Sequence, residues 1–310
     1  MRSREMLGIL VVSYNSEDVL GECLDACLRV PNTRVLVVDN SPGDAPAVPD
    51  GVAIIHNATN RGFAGAANQG IAALGTELVL LLNPDVLLGC KLEAMIEAAA
   101  DPSVGAVGGN LVDKSGRQQP KYQPRRLPSP LSIAFETPAL NRVWSGNPFN
   151  RVHRLSGDVC EVEQVAGGFL LLKRAAWSRI GGFDETFHPL WFEDVDFCKR
   201  LKENGYKILY LPDSRVQHAG GQSANALDAK CTQLYWYGSL LRYSAKHFSR
   251  VAHIGVCLAV ACGCVPRMVA ALVRDGNLHG VSVYSKVMRL AGTSLLAGSA
   301  ARLGRVVPGR

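Results

Sequence analysis

Leu78-Val79-Leu80-Leu81-Leu82-Asn83-Pro84-Asp85 is five apolar residues followed at once by a turn. Five residues suit a strand rather than a helix, and an apolar run without alternation must be buried on both faces. A sheet covered by helices on both sides provides that burial. The flanking sequence repeats the theme. Residues 8–12 form a first apolar run, 35–38 a second, 52–55 a third and 105–112 a later one. Between them lie helical patterns. One is opened by Ser16, carries Glu17 and Asp18 in its first turn, and has Val19, Leu20, Cys23, Leu24 and Cys27 as its apolar positions. Two more cover about 64–74 and 92–100. Apolar strands alternating with helices predict an α/β fold with a parallel sheet.

The chain has 310 residues, 47% apolar and 19% charged, enough to bury a core with an appendage to spare. Its nine cysteines show no zinc-ligand spacing and read as small buried hydrophobes in a reducing compartment. The opening apolar stretch, residues 7–12, is too short for a signal peptide. Charge is uneven. Residues 240–310 hold ten Lys/Arg and one acid, Asp275, a net +9; residues 1–239 hold 23 basic and 26 acidic residues, a net −3. The basic charge therefore belongs to a tail, which argues against nucleic acid and for an anionic membrane surface.

Beyond residue 113 the alternation breaks. Residues 114–158 contain Pro120, Pro124, Pro128, Pro130, Pro138 and Pro148, and predict a long, partly mobile segment. Regular structure resumes at 162–173. A helix is expected from Glu193 to Glu203, stopped by Asn204-Gly205, then a strand over 207–211 and a helix over 226–248. The apolar run 251–265 ends at Pro266, short for a membrane span. A second apolar helix over 281–303 carries Lys286, Arg289 and Arg302. This tail, 249–310, reads as an interfacial anchor, as a packing appendage to a main domain over 1–248, or as a true span or re-entrant hairpin.

Polar clusters sit where strands should end. They are Ser13-Tyr14-Asn15, Asp39-Asn40 and Asn83-Pro84-Asp85. In open parallel sheets ligands bind beyond the carboxyl ends of the strands, so these clusters should share one rim. Between them Asn60-Arg61-Gly62-Phe63 leads through small residues to Asn68-Gln69-Gly70. Small residues let backbone approach a ligand, and a helix start there can face phosphate. The spacing is neither GxGxxG nor GxxxxGK[ST], which disfavours a dinucleotide fold and a P-loop. Further on, Trp191-Phe192-Glu193-Asp194-Val195-Asp196-Phe197 places acids at a helix start. A carboxylate held there can serve as a general base, or the acids merely decorate the helix. His218, in Gln217-His218-Ala219-Gly220-Gly221, follows a further strand.

Together these stretches resemble glycosyltransferase family 2, from about Leu7 to Phe248, in five motifs in order. The resemblance implies a GT-A fold: a Rossmann-like, mostly parallel sheet flanked by helices, with the tail as a membrane-associating helical appendage. It implies that Asp39 reads the nucleotide base and that Ser13, Tyr14, Asn15, Asn60, Arg61, Gly62, Phe63, Asn68, Asn83 and Asp85 line the nucleotide-sugar side. Asn83-Pro84-Asp85 stands where the family has DxD, with Asn83 replacing its first acid. Asp85 and His218 then hold Mg²⁺ or Mn²⁺ with the donor diphosphate. Asp194 becomes the catalytic base, and Gly167, Gly168, Phe169, Trp191 and Glu193 lie on the acceptor side. The glycines serve equally well as tight packing.

The QxxRW motif of processive members is missing, which implies addition of one sugar. The Asn-Pro-Asp-Val, Asn-Arg-Gly-Phe and Trp-Phe-Glu-Asp-Val-Asp-Phe forms look most like the bacterial rhamnosyltransferase branch. That implies inverting transfer of L-rhamnose from dTDP-L-rhamnose to a saccharide, often polyprenyl-diphosphate-linked, in cell-envelope polysaccharide synthesis. The setting would be the inner face of the cytoplasmic membrane. A galactofuranose or hexose donor, and a non-catalytic nucleotide-sugar-binding membrane protein, remain as alternatives.

Overall fold

The computed structural model describes residues 7–89, 92–135, 143–144, 146–153, 159–219, 229–275 and 279–297. Pro138, Gly220, Gly221, Arg302 and the start of the helix expected over 226–248 lie outside the described residues. The chain divides into two compact units. The first is Met1–Leu127, Val152–Glu185 and Glu193–Ala226; the second is Pro128–Arg151, Thr186–Phe192 and Leu227–Arg310.

The first unit is built on nine strands: β1 (Leu7–Ser13), β2 (Thr33–Asp39), β3 (Val52–His56), β4 (Leu78–Leu82), β5 (Val86–Leu87), β6 (Val104–Val112), β7 (Cys160–Val162), β8 (Phe169–Lys173) and β9 (Lys207–His218). They run in the order β3-β2-β1-β4-β8-β6-β9-β5, with β7 paired to β9. The β3-β2-β1-β4 half is parallel, as its apolar runs predict. The other half is mixed: β8 is antiparallel to both β4 and β6, while β6 and β9 are parallel. An apolar run reports burial on two faces but not direction, so the antiparallel insertion of β8 left no trace in the pattern.

Side chains alternate between two cores. Ile9, Val11, Leu80 and Leu82 pack with α1 (Glu17–Leu28) and α3 (Glu93–Ala100). Leu10, Val12, Val79 and Leu81 pack with α2 (Gly62–Leu74), α5 (Arg174–Arg179) and α6 (Glu193–Glu203). That is the two-residue period of a strand buried on both faces. Leu80 and Leu81 are each 0% exposed, and truncating either to Ala costs about 2–5 kcal/mol. On α2, Gly70 leaves room for Leu10, whose side chain would collide with any added Cβ. Ser16 stands at the N-cap of α1, but its hydroxyl donates to the Tyr14 carbonyl rather than capping the helix.

The second unit is helical: α4 (Pro130–Phe135), α7 (Ala229–His247), α8 (Arg250–Asp275) and α9 (His279–Ala297). Contrary to the expected stop at Pro266, α8 runs through it. Proline removes one N–H and crowds the preceding turn. Here the Arg267 guanidinium donates to the Gly263 carbonyl in that turn, 2.6 Å away. The result is an apolar stretch, Arg250–Val273, of 24 residues, long enough to cross a bilayer. Val251, Leu258, Val265 and Leu272 recur every seven residues along it, all exposed. With exposed Val269 and Val273 they make one apolar stripe along α8.

Candidate active site

The three strand-end clusters meet at one edge because β1 lies between β2 and β4, all parallel. Ser13 is level with Asp39, and the Asn40 N–H donates to the Ser13 carbonyl at 2.9 Å. Asp39 is fully buried, and both its oxygens are held. Ser41 Oγ donates to Oδ1 at 2.7 Å, and His56 Nδ1 lies 2.8 Å from Oδ2. Strand pairing sets His56 directly opposite Asp39. Ser41 Oγ also takes the N–H of Asn15, which is exposed at φ 48°. Tyr14 beside it is half-buried.

The glycine segment joins the same network. Asn40 Nδ2 donates to the Gly62 carbonyl, and Asn60 Oδ1 accepts the Gly62 N–H at 2.7 Å. Gly62 has φ 75°, a conformation that favours glycine, and it starts α2 two residues ahead of the expected helix. Arg61 is exposed, 4.0 Å from Glu185. Asn68 is fully engaged inside the protein. Its Oδ1 accepts from the Phe183 N–H and Trp177 Nε1, and its Nδ2 donates to the Phe183 carbonyl and Glu185 Oε1. It ties α2 to the loop after α5.

Asp85 follows β4, buried, in a turn closed by the Val86 N–H on the Asn83 carbonyl. The β5–β9 pairing brings Val86 opposite His218, which is 1% exposed. His218 Nε2 lies 3.2 Å from Asp85 Oδ1 yet makes no hydrogen bond. Its Nδ1 faces Gln119 Oε1 at 2.8 Å, and the Tyr122 ring stands edge-on at 4.6 Å. Burial, then the charge of Asp85, push the Tyr122 phenol up to about 12, so it stays neutral. A buried imidazole nitrogen with no hydrogen bond, 3.2 Å from a buried carboxylate oxygen, fits one side of a divalent cation site; a bound diphosphate would have to supply the remaining ligands. Among the described residues no cluster of three His, Cys, Asp or Glu side chains forms a complete site.

Gly167 and Gly168 link this turn to the acid at the start of α6. The Asn83 N–H donates to the Gly168 carbonyl at 3.0 Å, and the Gly167 N–H donates to Asp194 Oδ2 at 3.1 Å. A Cβ on Gly168 would fall 2.8 Å from Asn83 Nδ2, so glycine there serves close packing. Phe169, which opens β8, is 1% exposed and fills the space over Gly109 as a core residue. Phe63 lies beside Gly167. Trp191 belongs to the second unit and has φ 72°.

The three acids in the first turn of α6 differ. Asp194 is partly exposed; burial raises its pKa, opposed by the N–H groups of Gly167 and Val195. Glu193 is buried with Oε2 unpartnered, and burial followed by the charge of Asp194 raises its pKa well above the usual carboxylate range. Asp196 is fully buried and paired with Arg200 at 2.7 Å. A carboxyl with a raised pKa favours folding while neutral and loses that advantage as pH rises through the folded pKa. Replacing Glu193 by Gln is therefore expected to raise melting temperature relative to the native chain, by an amount that grows as pH rises above the ordinary carboxylate range. A pH-independent difference in thermal melts would contradict the raised pKa of Glu193.

Residues 4–237 match the family described as Glycosyltransferase like family 2. The chain belongs to this family. As a glycosyltransferase of family 2 it is 30% identical over 238 residues to an N-acetylglucosaminyl-diphospho-decaprenol L-rhamnosyltransferase of Mycobacterium tuberculosis. That alignment covers 69% of this chain and 76% of the relative. A pre-mycofactocin glycosyltransferase of the same organism is 27% identical over 71% of this chain and 44% of its own. Among solved structures, GalNAc-T7 with UDP, GalNAc and Mn²⁺ superposes with TM-score 0.55 at 12% identity, over 93% of this chain and 55% of that one. The glycosyltransferase thus has the expected GT-A fold, with a mixed sheet flanked by helices.

Proposed function

We propose that this glycosyltransferase moves one L-rhamnosyl group from dTDP-L-rhamnose to a saccharide on a polyprenyl diphosphate, with inversion. The observation that carries the chemistry is the Gly167-Gly168 link, which ties the Asn83–Asp85 turn to the base candidate Asp194. The mycobacterial relative supports the sugar and the acceptor class. In this reading Asp39, oriented by Ser41 and His56, accepts from the base imide. Asp85 and His218 hold Mg²⁺ or Mn²⁺, which when bound offsets the charge of the departing diphosphate. Asp194 takes the proton from the acceptor hydroxyl as its oxygen attacks the anomeric carbon, and one displacement inverts that carbon. Incubation with a panel of nucleotide sugars, followed by release of nucleoside diphosphate, is expected to select dTDP-L-rhamnose. Preference for a galactofuranose or hexose donor would replace the rhamnose reading, and no turnover of any donor would exclude the enzyme reading.

The same proposal sets the enzyme on the inner face of the cytoplasmic membrane through its second unit. Twelve of the fourteen large exposed hydrophobic side chains among the described residues belong to that unit, six of them on α8. The +9 of residues 240–310 adds attraction to anionic lipid, about 1 kcal/mol per basic residue near the surface. The full-length protein is expected to float with anionic liposomes at low salt. Leu258→Glu with Val265→Glu and Leu272→Glu should leave it in the soluble fraction. Flotation unchanged by all three charges would remove α8 from the membrane-binding surface.

A further inference from the structure

Gln119 stands outside every motif quoted above, yet its carboxamide is spent entirely on His218. Nε2 donates to the His218 carbonyl at 2.8 Å, and Oε1 lies 2.8 Å from His218 Nδ1. The two ends of the amide are not interchangeable here. A backbone carbonyl only accepts, so the amide nitrogen must face it, and the amide oxygen must face the ring. An amide oxygen also only accepts, so Nδ1 must carry a proton. In the neutral ring that leaves Nε2 with a bare lone pair. Nε2 is the buried atom that lies 3.2 Å from Asp85 Oδ1 without a hydrogen bond.

The surroundings hold Gln119 in place. Its N–H donates to the Leu111 carbonyl, and Gln118 bridges back to Val112. The intervening turn is braced by Asp113 Oδ1, which accepts from the Ser115 N–H, the Ser115 hydroxyl and the Arg117 N–H. Gly116 supplies the positive φ of 77° that the turn needs. Gln118 is turned away, donating to the Tyr210 hydroxyl. Tyr122, three residues beyond Gln119, packs edge-on against the imidazole and limits its rotation.

We propose that Gln119 is a positioning residue that fixes the His218 tautomer and so presents Nε2 to a divalent cation. This rests on the reading of Asp85 and His218 as the cation pair. Partners of this kind typically change metal affinity by about 10- to 100-fold when lost. A Gln119 that only fastened the end of β9 would alter stability and leave metal binding alone.

The test uses full-length protein with dTDP and Mn²⁺, read by Mn²⁺ titration and by pulsed electron paramagnetic resonance. Histidine labelled with ¹⁵N at one ring position reports which nitrogen is bound. The native chain should show direct coupling from Nε2. Gln119→Leu should bind Mn²⁺ about 10- to 100-fold more weakly and lose that coupling. Gln119→Glu keeps an acceptor for Nδ1–H but loses the donor to the His218 carbonyl, so it should retain the Nε2 coupling while losing some stability. Gln123→Leu, in the same turn but away from His218, should behave as native. Native affinity and Nε2 coupling in Gln119→Leu would overturn the proposal, as would a Gln119→Glu variant that folds but loses the coupling. If His218→Ala itself leaves Mn²⁺ affinity unchanged, the cation pair is wrong and the role of Gln119 falls with it.

Discussion

Asp194→Asn is expected to lower turnover by at least about 100-fold while donor affinity is kept, the low end for loss of a general base. The neighbouring acids cannot take over easily. Asp196 is fully buried and committed to Arg200, whose guanidinium also donates to the Ile180 carbonyl. Burial, then the charge of Asp194, raises the Glu193 pKa well above the usual carboxylate range and disfavours its charged form. Asp194 alone combines partial exposure with backbone donors on both oxygens, Gly167 N–H at 3.1 Å and Val195 N–H at 2.8 Å. Asn can accept only one of those bonds, so a modest loss of stability should accompany the loss of activity, and folding is checked by thermal melts. The pH profile gives a second reading. Burial raises the pKa of Asp194, so its base form is lost as pH falls through a value above the ordinary Asp value of about 3.9. The acid limb of kcat/KM should lie on that raised side in the native chain. Normal turnover by Asp194→Asn would move the base elsewhere.

The parallel half of the sheet was legible because β1, β4 and the 35–38 stretch of β2 are buried on both faces and are apolar up to their polar ends. That made their polar ends conspicuous and put Asp39 and Asp85 on one rim. Three features were hidden for different reasons. β9 continues to His218 through Pro212, where a register shift after the Gly109–Leu211 pairing lets Asn110 meet Arg215. Leu-Pro-Asp-Ser reads as a turn in one dimension, and only the bulge in two dimensions rescues the strand. His56 follows an apolar strand as Asp39 does, and aligning the ends of β2 and β3 would have paired them. A lone histidine gives no such prompt by itself. Gln119 had no sequence signal at all: its role comes from the turn after β6, which folds back onto a residue 99 positions away.

Chelation should abolish activity, and Mn²⁺ or Mg²⁺ should restore it. The reason lies in the local charge. In the proposed cation site Asn83 stands where the family motif has an acid, so Asp85 alone would supply the negative charge of the turn, and it is buried beside His218, whose Nε2 has no hydrogen bond. A donor diphosphate brought next to Asp85 sets anions against one another in a poorly solvated place. Without a cation that repulsion weakens binding of the donor and opposes departure of the nucleoside diphosphate. Asp85→Ala should therefore be nearly inactive at any metal concentration, because the variant has lost its anionic ligand. His218→Ala should be milder, recovering part of its activity as Mn²⁺ is raised, since diphosphate oxygens and water can fill the vacated position. The measurement is initial rate against metal concentration for the native chain and both variants. Full activity in excess chelator would sink the metal assignment. Equal loss in both variants, without recovery at high Mn²⁺, would make His218 as indispensable as the carboxylate and would place more of the binding free energy in the imidazole.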